Sequence, residues 1–286
     1  MSAAALRGQT LLLLGASGGI GAELAKRLTA QGASLIITGR NLLPLQRLAT
    51  QLATKTQCVA ADLSDQTGLE QLLLALPDKL DGVIFAAGYN DFALFEQQDP
   101  TAIHRLFALN TLLPILLTRA LLPRLKPKAR LVYVGSTLGA IGYPGYAAYG
   151  ASKAALKHFV QALRREMADT ALQFCYIAPR ATQTSMNTLA AQELNQALGS
   201  KIDQPDWVAS QILNQLIAKK MQDQNLGMPE RLFIRLNALL PALLDKALRK
   251  QLTTIKQFAR RQTPGLTQIA LAEVKNVPVS DKGAYK

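Results

Sequence analysis

The chain has 286 residues, 49% hydrophobic and 18% charged, enough apolar material for one sizeable α/β core or two smaller ones. Two cysteines and two histidines exclude a disulfide framework, a Cys/His metal centre and a histidine-based triad. A net charge of +13 suits an anionic partner, yet 6% aromatic content and no recognition motif argue against nucleic acid.

In chain order, apolar runs predict strands near residues 10–14, 34–38, 57–61, 81–86, 130–135 and 171–177. Helical periodicity predicts helices near 19–31, 41–53, 64–75, 99–107, 110–124, 146–168 and 205–220. Such alternation implies right-handed βαβ crossovers and an α/β, doubly wound, mostly parallel sheet with helices on both faces. The last strand is obscure; its candidate is Arg231-Leu-Phe-Ile234, with helical flanks. No Pro/Ser-rich linker interrupts the patterning. One domain is therefore expected over residues 1–228, a helical extension over 229–262 and a loosely ordered tail over 263–286. The first six residues carry no cation and no stretch approaches 18 uncharged apolar residues, so neither a signal peptide nor a membrane span is expected. Cys58 and Cys175 lie in strand-like runs, which reads as two buried thiols in a reduced, cytoplasmic chain. His104 and His158 fall on separate helices as surface or packing residues, and no carboxylate cluster suggests a metal.

The segment Thr10-Leu-Leu-Leu-Leu-Gly-Ala-Ser-Gly-Gly-Ile-Gly21 passes from an apolar run through glycines into a helical pattern. Leu11 to Leu14 lack alternation, as in a strand covered on both faces. Gly15, Gly19 and Gly21 allow a sharp turn and close approach of a ligand, and the helix start offers N–H groups to a pyrophosphate. A tight turn without ligand is the alternative. The second strand ends in Gly39 and Arg40, 19 residues beyond Gly21, without an acidic neighbour. An acid there would hold a ribose 2′-hydroxyl, whereas Arg suits a 2′-phosphate. That favours NADP(H); a solvated Arg opening the next helix is the alternative.

Gly145-Tyr-Ala-Ala-Tyr-Gly-Ala-Ser-Lys153 places Tyr149 and Lys153 one helical turn apart, with Ser136 thirteen residues upstream of the tyrosine. An ammonium beside a phenol favours phenolate and lowers its pKa, which suits an acid that protonates an alkoxide. Tyr-x-x-x-Lys alone is a weak pattern. Its weight comes from the nucleotide turn in the same chain.

Together these elements resemble the short-chain dehydrogenase/reductase family over roughly residues 8 to 220, beginning with a Gly-x-x-x-Gly-x-Gly turn at Gly15-Ala-Ser-Gly-Gly-Ile-Gly21. The resemblance implies that Ser17, Gly18 and Ile20 join the three glycines at the cofactor, with Asp62 and Leu63 at the adenine. Ala86-Ala87-Gly88 is similar to half of the family's Asn-Asn-Ala-Gly motif. Asn110 matches an Asn that kinks a helix and anchors a relay water. Ser136, Tyr149 and Lys153 match the catalytic trio in type, order and spacing. Pro179 and Thr184 fit the stretch along the nicotinamide, where Arg180 replaces a Gly and points either to the cofactor or outward. Leu14, Phe85 and Ala86 also depart from the pattern, which implies an altered brace in the sheet. The family commonly pairs the helices matching 110–124 and 146–168, which implies a homodimer or homotetramer.

The expected chemistry is NADPH-dependent reduction of a ketone or aldehyde, or the reverse oxidation of an alcohol. Segment 137–144, with Leu138 and Tyr143, and region 186–198, with Met186, should wall the substrate site; their apolar character hints at a hydrophobic or acyl-chain carbonyl. Between Lys219 and Arg261 there are ten Lys/Arg against three Asp/Glu, set among leucines at helical spacing that Pro241 should divide. This basic amphipathic stretch is compatible with a packed helix, a pocket lid or peripheral membrane contact. A nucleotide-sensing or scaffolding protein without chemistry is the rival reading.

Overall fold

The computed structural model describes residues 4–260. Seven strands form one sheet in the order β3-β2-β1-β4-β5-β6-β7. They are β1 (Thr10–Leu14), β2 (Ser34–Gly39), β3 (Thr56–Ala60), β4 (Leu80–Phe85), β5 (Leu125–Val134), β6 (Gln173–Ala178) and β7 (Gln224–Asn225). Every pair is parallel, so each strand needs a crossover, and the helices supply it. The chain is wound in both directions from β1, and the order reverses between β1 and β4. Ligands bind outside the carboxyl ends of the strands at such a switch.

One face carries α1 (Gly19–Ala30), α2 (Leu42–Ala49) and α8 (Pro205–Ile217), with Leu24, Leu28, Leu45, Val208 and Ile212 buried against Leu11, Leu13 and Ile37. The other carries α3 (Gln66–Ala75), α5 (Leu113–Leu121) and α6 (Ala147–Glu166), with Leu72, Leu117, Leu121, Leu156 and Val160 under Leu12, Leu14, Val83 and Tyr133. Alternate residues of β1 thus serve two cores, which explains a run of four leucines without polar interruption. Caps fix several starts. The Asp65 side chain accepts from the Gly68 N–H, and that of Asp99 accepts from the Thr101 N–H ahead of Pro100, which opens α4 (Pro100–Phe107).

The predicted helix over 110–124 is broken. A π-helical turn (Ala108–Leu112) joins α4 to α5 and turns Asn110 into the interior. By length and mean hydropathy alone, the run Pro100–Arg124 reaches the threshold of a membrane span, as core helices also do. Its leucines 113, 117 and 121 lie in the core beneath the sheet.

Other expectations are corrected. Arg231-Leu-Phe-Ile234 is not a strand but lies in α9 (Met228–Leu239). The last strand is Gln224–Asn225, two polar residues paired with Ile177 and Ala178 and too short to show a period. The region after Met186 contains α7 (Leu189–Ala197), capped by Thr188. Cys58 is only half-buried, because β3 is an edge strand; Cys175 is fully buried in β6. Pro241 opens α10 (Pro241–Ala259), dividing the extension as its sequence suggests. The tail over residues 263–286 lies outside the described residues.

Candidate functional site

Each sequence-predicted residue of the cofactor turn, the strand ends and the Ser-Tyr-Lys group falls along one cleft of about 990 Å³ at the carboxyl edge of the sheet. Gly15 follows β1 with φ +77°, and a Cβ there would stand 2.6 Å from the Ala87 nitrogen. No side chain fits, so the two strand ends close on each other. Gly21 abuts the Gly15 carbonyl in the same way. Helix α1 starts at Gly18 without a side-chain cap, and Gly18, Gly19 and Ile20 line the cleft. An uncapped, glycine-lined helix start fits a pyrophosphate.

Ser17 and Arg40 are exposed at the mouth over Gly39; a Cβ on Gly39 would lie 3.1 Å from the Ser17 hydroxyl. Asp62 follows β3, and its carboxyl is held below the usual range. The hydroxyl and backbone N–H of Ser64 donate to it at 2.7 and 3.0 Å, and the Arg40 cation adds a smaller pull. Leu63 is buried beside it. Thr184 faces the turn from the far wall, its methyl 3.0 Å from the place of a Gly19 Cβ. Pro179 accepts a hydrogen bond from the Thr137 N–H at 3.0 Å, which ties the two walls together.

Ser136 lies two residues past β5, and Tyr149 and Lys153 sit in the first two turns of α6; all three are buried. Ser136 and Tyr149 share a side-chain hydrogen bond. The Lys153 ammonium donates to the Val134 carbonyl at 3.2 Å and lies 5.9 Å from the centre of the Tyr149 ring. The expected depression of the phenol is not found. Burial pushes Tyr149 up to about 12, against a downward pull from Ser136. Burial also pulls Lys153 down to about 8. Desolvation wins because the ammonium is spent on a backbone carbonyl and is itself disfavoured in so dry a site.

Asn110 accepts from the Tyr89 N–H at 2.9 Å and donates to the Tyr89 carbonyl at 2.9 Å and the Ser152 hydroxyl at 3.0 Å. Both of its amide hydrogens are committed to protein, so this side chain braces α6 against the loop after β4. Gly88 lies beside it; a Cβ there would meet Asn110 at 3.0 Å and Lys153 at 3.4 Å. The departures at 85 and 14 have a physical replacement. Phe85 stacks on Tyr133 with centroids 4.6 Å apart, Tyr133 shares a 2.8 Å hydrogen bond with Thr118, and Leu14 is fully buried.

Arg180 does not take the outward orientation that its sequence left open. Its guanidinium is 7% exposed and forms a bidentate pair with Asp203, at 3.0 and 2.7 Å, and a 3.0 Å bond to Glu230 at the start of α9. It borders the cleft, yet its charge is spent on anchoring the extension.

Sequence reasoning missed Tyr176 on β6. Its hydroxyl accepts from the Ser136 N–H at 3.1 Å and lies within donating distance of the carbonyls of Lys153 (3.2 Å) and Ser136 (3.3 Å). The signal was the pair Gly135 and Gly139, since a Cβ at 135 would collide with that ring. Tyr146 was missed as well. It packs against Phe92, Tyr143 and Tyr149, and the three tyrosines line the cleft with Leu138 and Met186. Phe233, Leu244 and Leu248 of the extension complete this wall.

A parallel sheet in this order, opening a glycine-lined cleft beside a buried tyrosine and lysine, is the architecture of a Rossmann-type oxidoreductase. The family described as short chain dehydrogenase matches residues 9–195. The chain belongs to the short-chain dehydrogenase/reductase family. It is 30% identical over 263 residues to dehydrogenase/reductase SDR family member 7B of Bos taurus, covering 83% of this chain and 79% of that protein. An uncharacterized oxidoreductase, YmfI of Bacillus subtilis, is 29% identical over 185 residues, covering 62% and 76%. Among solved structures, a dehydrogenase/reductase from Sinorhizobium meliloti superposes with TM-score 0.69 at 24% identity, covering 78% of this chain and 95% of that one.

Two predictions follow from this geometry. Tyr176→Phe leaves the buried Ser136 N–H without its partner, and urea unfolding should show a loss of about 1–3 kcal/mol. For Lys153, the unfolded ammonium releases its proton near 10.5 and the folded one near 8. Below pH 8 the folded state bears the cost of a buried ammonium; as pH rises toward 10 the folded chain sheds that proton while the unfolded chain keeps it. Unfolding free energy of the cofactor-free protein should therefore rise with pH across this window, and by less in Lys153→Met. Denaturant titrations at both ends of the window check the difference, in which thiols and other tyrosines cancel.

Proposed function

We propose that this member of the oxidoreductase family is an NADPH-dependent carbonyl reductase acting on a hydrophobic ketone or aldehyde. The observation that carries the proposal is the grouping of Ser136, Tyr149 and Lys153 in a dry site next to the glycine-lined turn. Arg40 and Ser17 at the mouth suit a 2′-phosphate, and the segment that follows β2, Arg40-Asn41-Leu42, carries no acid to hold a 2′-hydroxyl. The sulfoacetaldehyde reductase of Chromohalobacter salexigens is 32% identical over 183 residues. The angucycline C-6 ketoreductase LanV, described with bound NADP, shares the fold at TM-score 0.71 and 21% identity. A 3-ketoacyl-(acyl-carrier-protein) reductase from Brucella melitensis, complexed with NADH, shares it at 0.67. Cofactor choice thus rests on Arg40, not on kinship.

The bound nicotinamide supplies the hydride. Ser136 donates a hydrogen bond to the substrate oxygen as negative charge grows there. Tyr149, held protonated by burial, gives its proton to that oxygen, so the carbonyl leaves as an alcohol. Lys153 holds a cation in the same buried site, and Asn110 positions the helix that bears both. Gly15, Gly18, Gly19, Ile20 and Gly21 hold the pyrophosphate, Asp62 and Leu63 the adenine side, and Ala87, Gly88, Pro179 and Thr184 the nicotinamide side. Leu138, Tyr143 and Met186, with Phe233 and Leu248, give the substrate an apolar wall. Leu112 and Leu116 of the π turn and α5 stay exposed, which fits pairing of this face in a homo-oligomer.

Tyr149→Phe should lower kcat by about 10²–10⁴-fold while the NADPH dissociation constant, read by cofactor fluorescence, stays unchanged. Turnover close to wild type would remove the tyrosine from its role. Arg40→Ala should raise KM for NADPH by about 10–100-fold and leave NADH kinetics nearly untouched, since only the phosphate contact is lost. Equal effects on both cofactors would contradict the assignment.

A further inference from the structure

We infer that the helical hairpin of α9 and α10 is a docking surface for an anionic lipid bilayer, with the mouth of the cleft held against the lipid. The apolar stripe of α9 is turned outward. Met228, Leu232 and Leu239 recur at helical spacing on one face and are 74%, 65% and 79% exposed. At the turn between the helices, Leu240 and Leu243 are 53% and 52% exposed on either side of Pro241. From Asn237 to Leu244 no residue is charged, so the hairpin ends in an uncharged leucine tip.

Charge complementarity selects the occupant. Residues 228–260 hold seven Lys/Arg and two Asp/Glu, and one of those acids, Glu230, is paired with Arg180. Arg235 precedes the tip by one turn, while Lys246, Arg249 and Lys250 follow it within two turns, all exposed. Leucines at a tip with cations one or two turns behind match the two layers of a bilayer surface, acyl boundary first and phosphates next. A protein groove would need acids placed to meet four separate cations. An anionic headgroup layer meets them in any rotation about the normal.

The same helices face the cleft on their inner side, through Phe233, Leu244 and Leu248. Docking would therefore set the apolar wall of the cleft next to the lipid, where a hydrophobic carbonyl compound partitions. The inference goes beyond the reductase reading, and its test uses no turnover.

The full chain is sedimented with sucrose-loaded vesicles of phosphatidylcholine alone and of phosphatidylcholine mixed with phosphatidylglycerol, over a range of NaCl. Binding is expected on the anionic vesicles and should weaken as salt rises. The combined variant Leu239→Ser, Leu240→Ser, Leu243→Ser should weaken it by about tenfold or more. The combined variant Arg235→Gln, Lys246→Gln, Arg249→Gln should flatten the salt dependence. These side chains are solvent-exposed, so thermal midpoints should match wild type, and the charge variant tests the idea even if the leucine variant unfolds. No pelleting of the intact chain, equal pelleting on both vesicle types, or wild-type binding by both variants would overturn the inference. So would a loss of self-association in the leucine variant without any vesicle binding, which would assign the face to a second copy of the chain.

Discussion

The hydroxyl of Tyr176 is the joint on which the candidate site depends. It stands between the turn after β5, which carries Ser136, and the first turns of α6, which carry Tyr149 and Lys153. A strand end and a helix have no common backbone ladder, so their relative height must be set by something between them. Here a phenol does it, touching the backbone on both sides. Burial holds its pKa well above the usual phenol range, so it remains an O–H over the range in which the fold is used. Gly135 and Gly139 leave room for the ring, and no larger residue fits beside it at 135.

Dryness is the second constraint, and it acts against simple pairing. An ammonium and a phenol one helical turn apart invite the expectation that each stabilises the charge of the other. In this site both are disfavoured as ions, and Lys153 leans on the Val134 carbonyl. The environment favours neutral side chains, which suits a tyrosine that must hold a proton until an oxyanion forms. The same low dielectric strengthens any hydrogen bond made to that oxyanion.

Much of this was legible in the sequence because it rests on local signals. Leu11 to Leu14 declared a doubly covered strand, Gly15 to Gly21 a sharp glycine-rich turn, and Tyr149 with Lys153 a helical face. What escaped was set by distant partners. Strand β7 has two polar residues and exists only because β6 offers it an edge. Tyr176 reads as one more apolar strand residue until Gly135 is brought over it. The direction of the Tyr149 shift depends on how much protein surrounds the pair, which no spacing encodes. The extension was recognisable as basic and amphipathic, but the outward aim of Met228, Leu232 and Leu239 follows from how α9 is pinned at its start.

That pin carries a consequence for how the chain can vary. Arg180 answers two acids far apart in sequence, Asp203 ahead of α8 and Glu230 in α9. Glycine at 180 would leave the carboxylate of Asp203, itself 7% exposed, as a buried charge without its counterion. Loss of either acid would leave the guanidinium short of a partner in the same dry place. The three positions therefore form one unit of inheritance. Descendants of this sequence should keep all three residues or exchange them together, and the arginine after Pro179 marks those in which the extension is tied to the end of β6.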